Sequence, residues 1–121
     1  MNLNNILIID DEVDICFLLE NKLKKKNYAI SYAHNLEDGF SKLASIQPFL
    51  LFLDINLPDG SGLNAISKIK LLYPSLKVIM ISAYDGANER TLAKNEGADM
   101  FIGKPFNEEA IYSAVDQINF G

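Results

Sequence analysis

Five polar side chains come at the ends of short apolar runs along this 121-residue chain. Asp10 and Asp11 follow the first run, Asp54 ends the third, Ser82 ends the fourth, and Lys104 follows the last. Carboxylates that lie close together repel one another and raise one another's pKa unless a cation joins them. If the fold brings these residues together, their types indicate a divalent cation site with a hydroxyl and an ammonium group beside it.

The elements that must position these residues alternate between short apolar runs and segments of helical period, with turn residues between them. The apolar runs predict five strands, at residues 6–9, 28–33, 49–53, 78–81 and 98–102. The first, third and fourth runs are almost continuously apolar, as expected of central strands that are covered on both faces. The second alternates bulky and small side chains, which favours a strand at the edge of the sheet.

Apolar residues recur at helical spacing after each of these runs, which predicts five helices. The segment 85–95 is the weakest of them, because only Ala87, Leu92 and Ala93 offer it an apolar face. The last helix is clearer, since Asn107 can cap its start.

Five βα units predict an α/β fold with a doubly wound, parallel, five-stranded sheet of order 2-1-3-4-5 and helices on both faces, which is the flavodoxin-like architecture. Such sheets place functional residues beyond the carboxyl ends of the strands, where the strand order reverses. The first and third strands flank that point. We therefore expect Asp10, Asp11 and Asp54 to converge there.

The expected ligands are hard oxygens and are few, so water must complete the shell, which suits Mg²⁺ better than a calcium cage. No cluster of His or Cys residues offers a zinc site. We expect Asp11 and Asp54 to bind the metal directly, Asp10 to act through water, and the backbone carbonyl of Asn56 to complete the shell.

A phosphoryl group on Asp54 would account for the remaining two residues. A carboxylate is a weak nucleophile, but phosphoryl transfer depends mainly on positioning and on stabilisation of charge. Lys104 would pair with a phosphoryl oxygen, and the Ser82 hydroxyl would respond to its arrival. The sequence thus predicts that Asp54 is a phosphoacceptor.

At this point the sequence resembles the receiver domains of two-component response regulators, with a fold like that of the chemotaxis regulators. The resemblance covers essentially the whole chain, and four segments carry it in order: "ILIIDDEVDI", "LLFLDINLPDGSGL", "VIMISAYD" and "GADMFIGKPF". It implies a single receiver domain over residues 1–121 that takes its phosphoryl group from a sensor histidine kinase or a phosphotransfer protein.

The resemblance also implies roles for residues near the acceptor. Ala83 is the small residue that leaves room for the phosphoryl group, and Phe101 is the switch aromatic, where many relatives have Tyr. The bond between Lys104 and Pro105 is cis in the family. A protein of this kind is not an enzyme beyond promoting its own phosphorylation and dephosphorylation, and it passes its signal to a downstream protein target or effector domain.

Three other functions fit the same fold less well. A flavin phosphate would be repelled by the acids after the first strand. An aspartate-nucleophile phosphohydrolase would resemble Asp-x-Asp, and position 56 is Asn. A receiver-like interaction module that never uses phosphorylation is the serious alternative, although the presence of all five site residues counts against it.

The composition of the chain limits the classes of partner that it can bind. The net charge of −5 opposes direct binding to nucleic acid or to anionic membranes. No apolar run is long enough to cross a membrane and no signal peptide is visible, so a cytoplasmic location is expected. Cys16 is expected to be a buried thiol, with a reactive thiol as the alternative. In the family that the sequence resembles, one large class dimerises through ion pairs across the fourth helix, the fifth strand and the fifth helix. No Lys or Arg follows Lys104 here, so we expect a monomer or a weak homodimer, either as a stand-alone receiver or as part of a longer protein.

Overall fold

A computed structural model describes residues 2–83 and 86–120. Its main sheet has five parallel strands: β1 (Asn2–Ile9), β2 (Ala29–Ala33), β3 (Pro48–Asp54), β4 (Lys77–Ser82) and β5 (Met100–Gly103). They lie in the order β2-β1-β3-β4-β5, so the predicted doubly wound sheet is confirmed. All seven residues of β3 are buried, as its continuous apolar run predicts.

Five helices cover the sheet on its two faces: α1 (Val13–Lys24), α2 (Leu36–Ile46), α3 (Gly62–Leu72), α4 (Ala87–Glu96) and α5 (Glu108–Phe120). The apolar sides of α1 and α5 pack on one face of the sheet, and those of α2, α3 and α4 pack on the other. The strands alternate between the two cores, since Ile6 and Ile8 face α1 while Leu7 and Ile9 face α2. Asn107 accepts a 2.9 Å hydrogen bond from the Ala110 amide and so caps α5, as predicted.

The helix α4 differs from its prediction. Its described start is Ala87 rather than residue 85, which lies outside the described residues. Leu92 was predicted to face the core, but 52% of its surface is exposed, and Ala93 is the buried residue of this helix. Successive residues of a helix point about 100° apart, so two neighbours cannot both face a narrow contact. The apolar face of α4 is therefore even smaller than the sequence indicated.

A short antiparallel hairpin, Asn56–Leu57 with Gly60–Ser61, connects β3 to α3 and lies outside the main sheet. Asp59 at its turn accepts hydrogen bonds from the first two amides of α2, at 2.8 Å from Leu36 and 3.0 Å from Glu37. The hydrogen bonds from Leu36 and Glu37 stabilise the charged carboxylate and lower the pKa of the exposed Asp59 carboxyl below its ordinary value. The hairpin is thus held against the start of α2.

Candidate functional site

The sheet register brings the predicted site residues together at the carboxyl ends of four adjacent strands. Ile9 pairs with Leu53, so Asp10 and Asp54 follow as neighbours on β1 and β3. Asp54 in turn pairs with Ile81, which places Ser82 one residue beyond. Ser82 pairs with Gly103 on β5, and Lys104 is the next residue. Parallel pairing therefore delivers each side chain to one edge.

Four acids gather at this edge. Asp10, Asp11, Glu12 and Asp54 each place a carboxylate oxygen within 4.8 Å of those of the others. Asp10 and Asp54 are buried, whereas Asp11 and Glu12 are exposed. Three of the four were predicted as site residues, and Glu12 was not. Its position directly after the acidic pair was the signal that could have identified it.

Lys104 is the cation in contact with three of these acids. Its ammonium nitrogen lies 2.8 Å from Glu12 Oε1, 2.9 Å from Asp10 Oδ2 and 3.5 Å from Asp54 Oδ1. Only 8% of its side chain is exposed, so its pairs with the buried Asp10 and Asp54 are shielded from water, whereas the Glu12 side chain in the third pair is 57% exposed. One ammonium group among four carboxylates leaves the site with excess negative charge.

The excess negative charge and the burial of the site shift the pKa values of its buried groups. Burial raises the pKa of Asp54 to about 6, and repulsion from Asp10 adds to this effect while Lys104 opposes it. Burial also raises the pKa of Asp10, although the amide of Glu12 and the lysine partly offset it. For Lys104, burial lowers the pKa, but its close contacts with the Glu12 and Asp10 carboxylates outweigh this effect, and the net pKa lies above its ordinary value. The lysine stays charged, and Asp54 holds its charge at a cost.

The donor set at this edge fits Mg²⁺. The four donors are carboxylates, which are the hard ligands that this ion prefers. Asp10 Oδ2 is buried and, within the described chain, has no hydrogen bond, because its 2.9 Å approach to the Lys104 ammonium lacks hydrogen-bond angles. A buried oxygen that faces the cluster with unused acceptor capacity suits a water molecule from a magnesium shell. Asn56, whose carbonyl was predicted to contribute, lies in the hairpin two residues after Asp54.

The predicted switch residues lie beyond Asp54, at the end of β4 and on β5. Ser82 is fully buried at the end of β4, and Ala83 follows it with an exposed side chain. Phe101 lies partly buried in β5, and the Arg90 guanidinium is 4.9 Å from its ring centre. Tyr84, the residue after Ala83, lies outside the described residues.

Gly62 supports the site and was not among the predicted site residues. Its amide donates a 2.7 Å hydrogen bond to the carbonyl of Ile55. A Cβ atom at this position would lie 2.1 Å from the backbone oxygen of Asp54. The start of α3 can therefore contact the backbone of Asp54 only because residue 62 has no side chain.

Two remaining predictions concern single residues. The bond between Lys104 and Pro105 is cis, as the resemblance implied. Cys16 is buried as predicted, and burial raises the pKa of its thiol to about 12, so it is a protonated group and not a reactive thiolate. Across the part of the chain that the structure covers, no helix has both the length and the apolar character to span a bilayer.

Comparisons with known proteins agree with this geometry. The family model of the response regulator receiver domain matches residues 6–116. The nitrogen assimilation regulatory protein NtrX of Azorhizobium caulinodans is 34% identical over 110 residues, which cover 89% of this chain. The same alignment covers 24% of NtrX, so the chain spans a small part of that relative's length.

Solved structures match over nearly the full chain. A two-component response regulator from Clostridium difficile has a TM-score of 0.91 and 32% identity, with 96% of this chain and 95% of that chain covered. The beryllofluoride-activated NtrC4 receiver domain dimer has a TM-score of 0.90 and 28% identity, with 96% of each chain covered. Since the family match includes all the strand ends that carry the acids, the hydroxyl and the lysine, the chain belongs to the response regulator receiver domain family.

Proposed function

We propose that this domain accepts a phosphoryl group on Asp54 from a sensor histidine kinase or a phosphotransfer protein and that the modification changes a protein-interaction surface. The observation that supports it most directly is the setting of Asp54, a buried carboxylate 3.5 Å from the Lys104 ammonium and within 4.8 Å of three other acids. The activated NtrC4 relative was solved with beryllofluoride, a mimic of a phosphoryl group.

In the proposed reaction, an oxygen of the Asp54 carboxylate attacks the phosphorus atom of a phosphohistidine in line with the departing nitrogen. The new bond joins Asp54 to phosphorus, the bond between phosphorus and the imidazole nitrogen breaks, and the imidazole leaves with the electron pair and takes up a proton. Mg²⁺, held by Asp11, Asp54 and the Asn56 carbonyl and by Asp10 through water, would neutralise negative charge on the transferred group.

Lys104 is already beside the acceptor. Its protonated ammonium can move from Glu12 and Asp10 to an oxygen of the phosphoryl group, where its positive charge would stabilise the negative charge of that oxygen. Ser82 ends the neighbouring strand and can donate its hydroxyl proton to another of these oxygens. Both residues stabilise the modified state and form no covalent bond in it.

The signal would leave the site through β4 and β5. A hydrogen bond from Ser82 to the phosphoryl group would draw in the loop after β4, with Ala83 leaving room, and Phe101 would then change its packing. This domain would act on a downstream protein target or effector domain rather than catalyse turnover of a substrate. We propose a cytoplasmic protein that is a monomer or a weak homodimer and binds neither nucleic acid nor membrane itself.

The acceptor is tested by intact-mass measurement after incubation with acetyl phosphate. We expect one added phosphoryl group on the wild type with Mg²⁺, none with a chelator, and none on Asp54→Asn. Asp14→Asn, which removes an exposed acid of α1, should still be modified and controls for loss of charge. Modification of the Asp54→Asn chain at the wild-type rate would contradict the assignment, and a wild type that stays unmodified by this donor and by kinases would favour a phosphorylation-independent interaction module.

The switch is tested by backbone NMR with and without beryllofluoride. We expect chemical-shift changes centred on residues 82–106, and Ser82→Ala should reduce them while leaving phosphorylation of Asp54 intact. Changes that lie mainly in α1, or that persist at full size in Ser82→Ala, would contradict this route.

A further inference from the structure

The backbone of Asp10 is held on both sides by residues outside the acidic cluster. Its amide donates a 3.0 Å hydrogen bond to the carbonyl of Ala33 at the end of β2. Its carbonyl oxygen lies 2.9 Å from Nδ1 of His34, the next residue after that strand. The Cys16 thiol also donates to this oxygen, at 3.4 Å. Both lone pairs of the Asp10 carbonyl therefore have a donor.

This contact requires a proton on one particular ring nitrogen. A carbonyl oxygen can only accept, so Nδ1 of His34 must be the donor. The ring is half-buried, and its centre lies 5.5 Å from that of the Tyr32 ring. His34 is the single histidine of the chain, and its position is set by the end of the edge strand.

This contact bears directly on Asp11. The carbonyl of Asp10 belongs to the peptide bond that leads into Asp11, so its direction sets where the Asp11 side chain begins. In the regions covered by the structure, no hydrogen bond or ion pair holds the Asp11 carboxylate, which is exposed. The position of this expected metal ligand thus depends on the backbone rather than on contacts of its own side chain.

We propose that His34 is a positioning residue of the metal site: its hydrogen bond to the Asp10 carbonyl holds the peptide bond between Asp10 and Asp11 in the orientation that lets Asp11 bind Mg²⁺. This inference rests on the proposed function, because it takes Asp11 to be a direct ligand. Groups that orient metal ligands from outside the coordination shell change metal affinity by about 10-fold to 100-fold when they are removed.

Two substitutions separate the hydrogen bond from the ring. His34→Leu removes the donor and keeps an apolar group of moderate size. His34→Asn keeps a donor at the same place, since the amide nitrogen of Asn and Nδ1 of His are both bonded to Cγ. We expect His34→Leu to weaken Mg²⁺ binding by about 10-fold to 100-fold, and His34→Asn to stay close to the wild-type affinity.

The measurement is calorimetric titration of the full chain with Mg²⁺ at one fixed pH, with thermal unfolding in chelator as the check on folding. A purely structural role would lower the unfolding temperature of both variants and would not give recovery by Asn. Wild-type affinity in His34→Leu, or equal losses in the Leu and Asn variants, would overturn the inference. If His34→Leu does not fold, His34→Gln, which carries its amide one carbon further out, replaces it with the same expected loss and the same refuting result.

The failure of this inference differs from failure of the proposed function. A wild type that binds no Mg²⁺ and is not phosphorylated contradicts the function itself. A wild type that binds Mg²⁺ and is phosphorylated, with His34→Leu unchanged in affinity, contradicts only the role of His34.

Discussion

Replacing the proposed phosphoacceptor Asp54 by Asn should stabilise the metal-free fold at neutral pH. The carboxylate is buried, stands beside Asp10, and has a pKa raised to about 6 by burial and by that repulsion. Because the folded-state pKa lies above the ordinary value of 3.8, the stability contributed by Asp54 is fully present below 3.8 and is lost as pH rises through about 6. Asn has a similar shape and carries no charge to bury.

The size of the effect follows from the pKa difference. Each unit corresponds to about 1.4 kcal/mol, so a shift from 3.8 to about 6 lowers the free energy of unfolding at neutral pH by at most roughly 3 kcal/mol. For a chain of this length, 1 kcal/mol changes the unfolding temperature by about 4 °C, so Asp54→Asn should unfold up to about 12 °C above wild type. At pH 5 about half of the difference should remain.

The assay is thermal unfolding of the two proteins in chelator across pH 5 to 8, followed by circular dichroism. Asp116→Asn, which removes an exposed acid of α5, is the matched control and should not reproduce the gain. Mg²⁺ should narrow the gap at neutral pH, since a cation that binds the folded wild type stabilises it. A less stable Asp54→Asn protein in chelator, or a gap that is the same at pH 5 and pH 8, would refute the reasoning.

Two further substitutions test other contacts of the site. Glu12→Gln weakens the exposed 2.8 Å ion pair with Lys104, which competes with the phosphoryl group for the lysine. Such exposed pairs contribute about 0–1 kcal/mol, so phosphorylation by acetyl phosphate at saturating Mg²⁺ should accelerate by up to about 5-fold. A slower rate would mean that Glu12 assists the transfer. Gly62→Ala places a methyl group against the backbone oxygen of Asp54 and should lower the free energy of unfolding in urea by about 2 kcal/mol or more. Gly86→Ala, whose added Cβ would meet only the flexible side chain of Glu89, is its control, and equal small losses would contradict the contact at Gly62.

Most of the fold was predictable because it depends on patterns along the chain. A strand covered on both faces must be apolar at nearly every position, and β3 is both fully buried and almost continuously apolar. Once alternating strands and helices imply parallel pairing, the ends of the strands must lie at one edge. The convergence of Asp10 and Asp54 at that edge therefore needs only the order of the strands, and the order was correctly predicted.

The contacts that the sequence did not reveal depend on side-chain direction between distant segments. Glu12 and Lys104 are 92 residues apart, and nothing in the local pattern of either shows that they pair at 2.8 Å. The hydrogen bond of His34 depends on how far β2 extends beside β1. The prediction that Leu92 faces the core was wrong for a related reason. An apolar residue on a helix indicates a buried face only when other apolar residues at helical spacing lie on the same face.

The uneven packing of the domain determines which elements should move in the proposed switch. The central strands are buried along almost their whole length, so a change at Asp54 meets a rigid sheet beneath it. On the side of β5, by contrast, α4 buries only Ala93 among its described side chains, and Phe101 beside it is partly exposed. Segments with few buried apolar contacts open at the lowest cost. A phosphoryl group of fixed differential affinity for two conformations shifts their populations most where the conformations differ least in energy. The conformational change that follows phosphorylation of Asp54 should therefore spread toward α4 and β5 rather than through the core beneath α1.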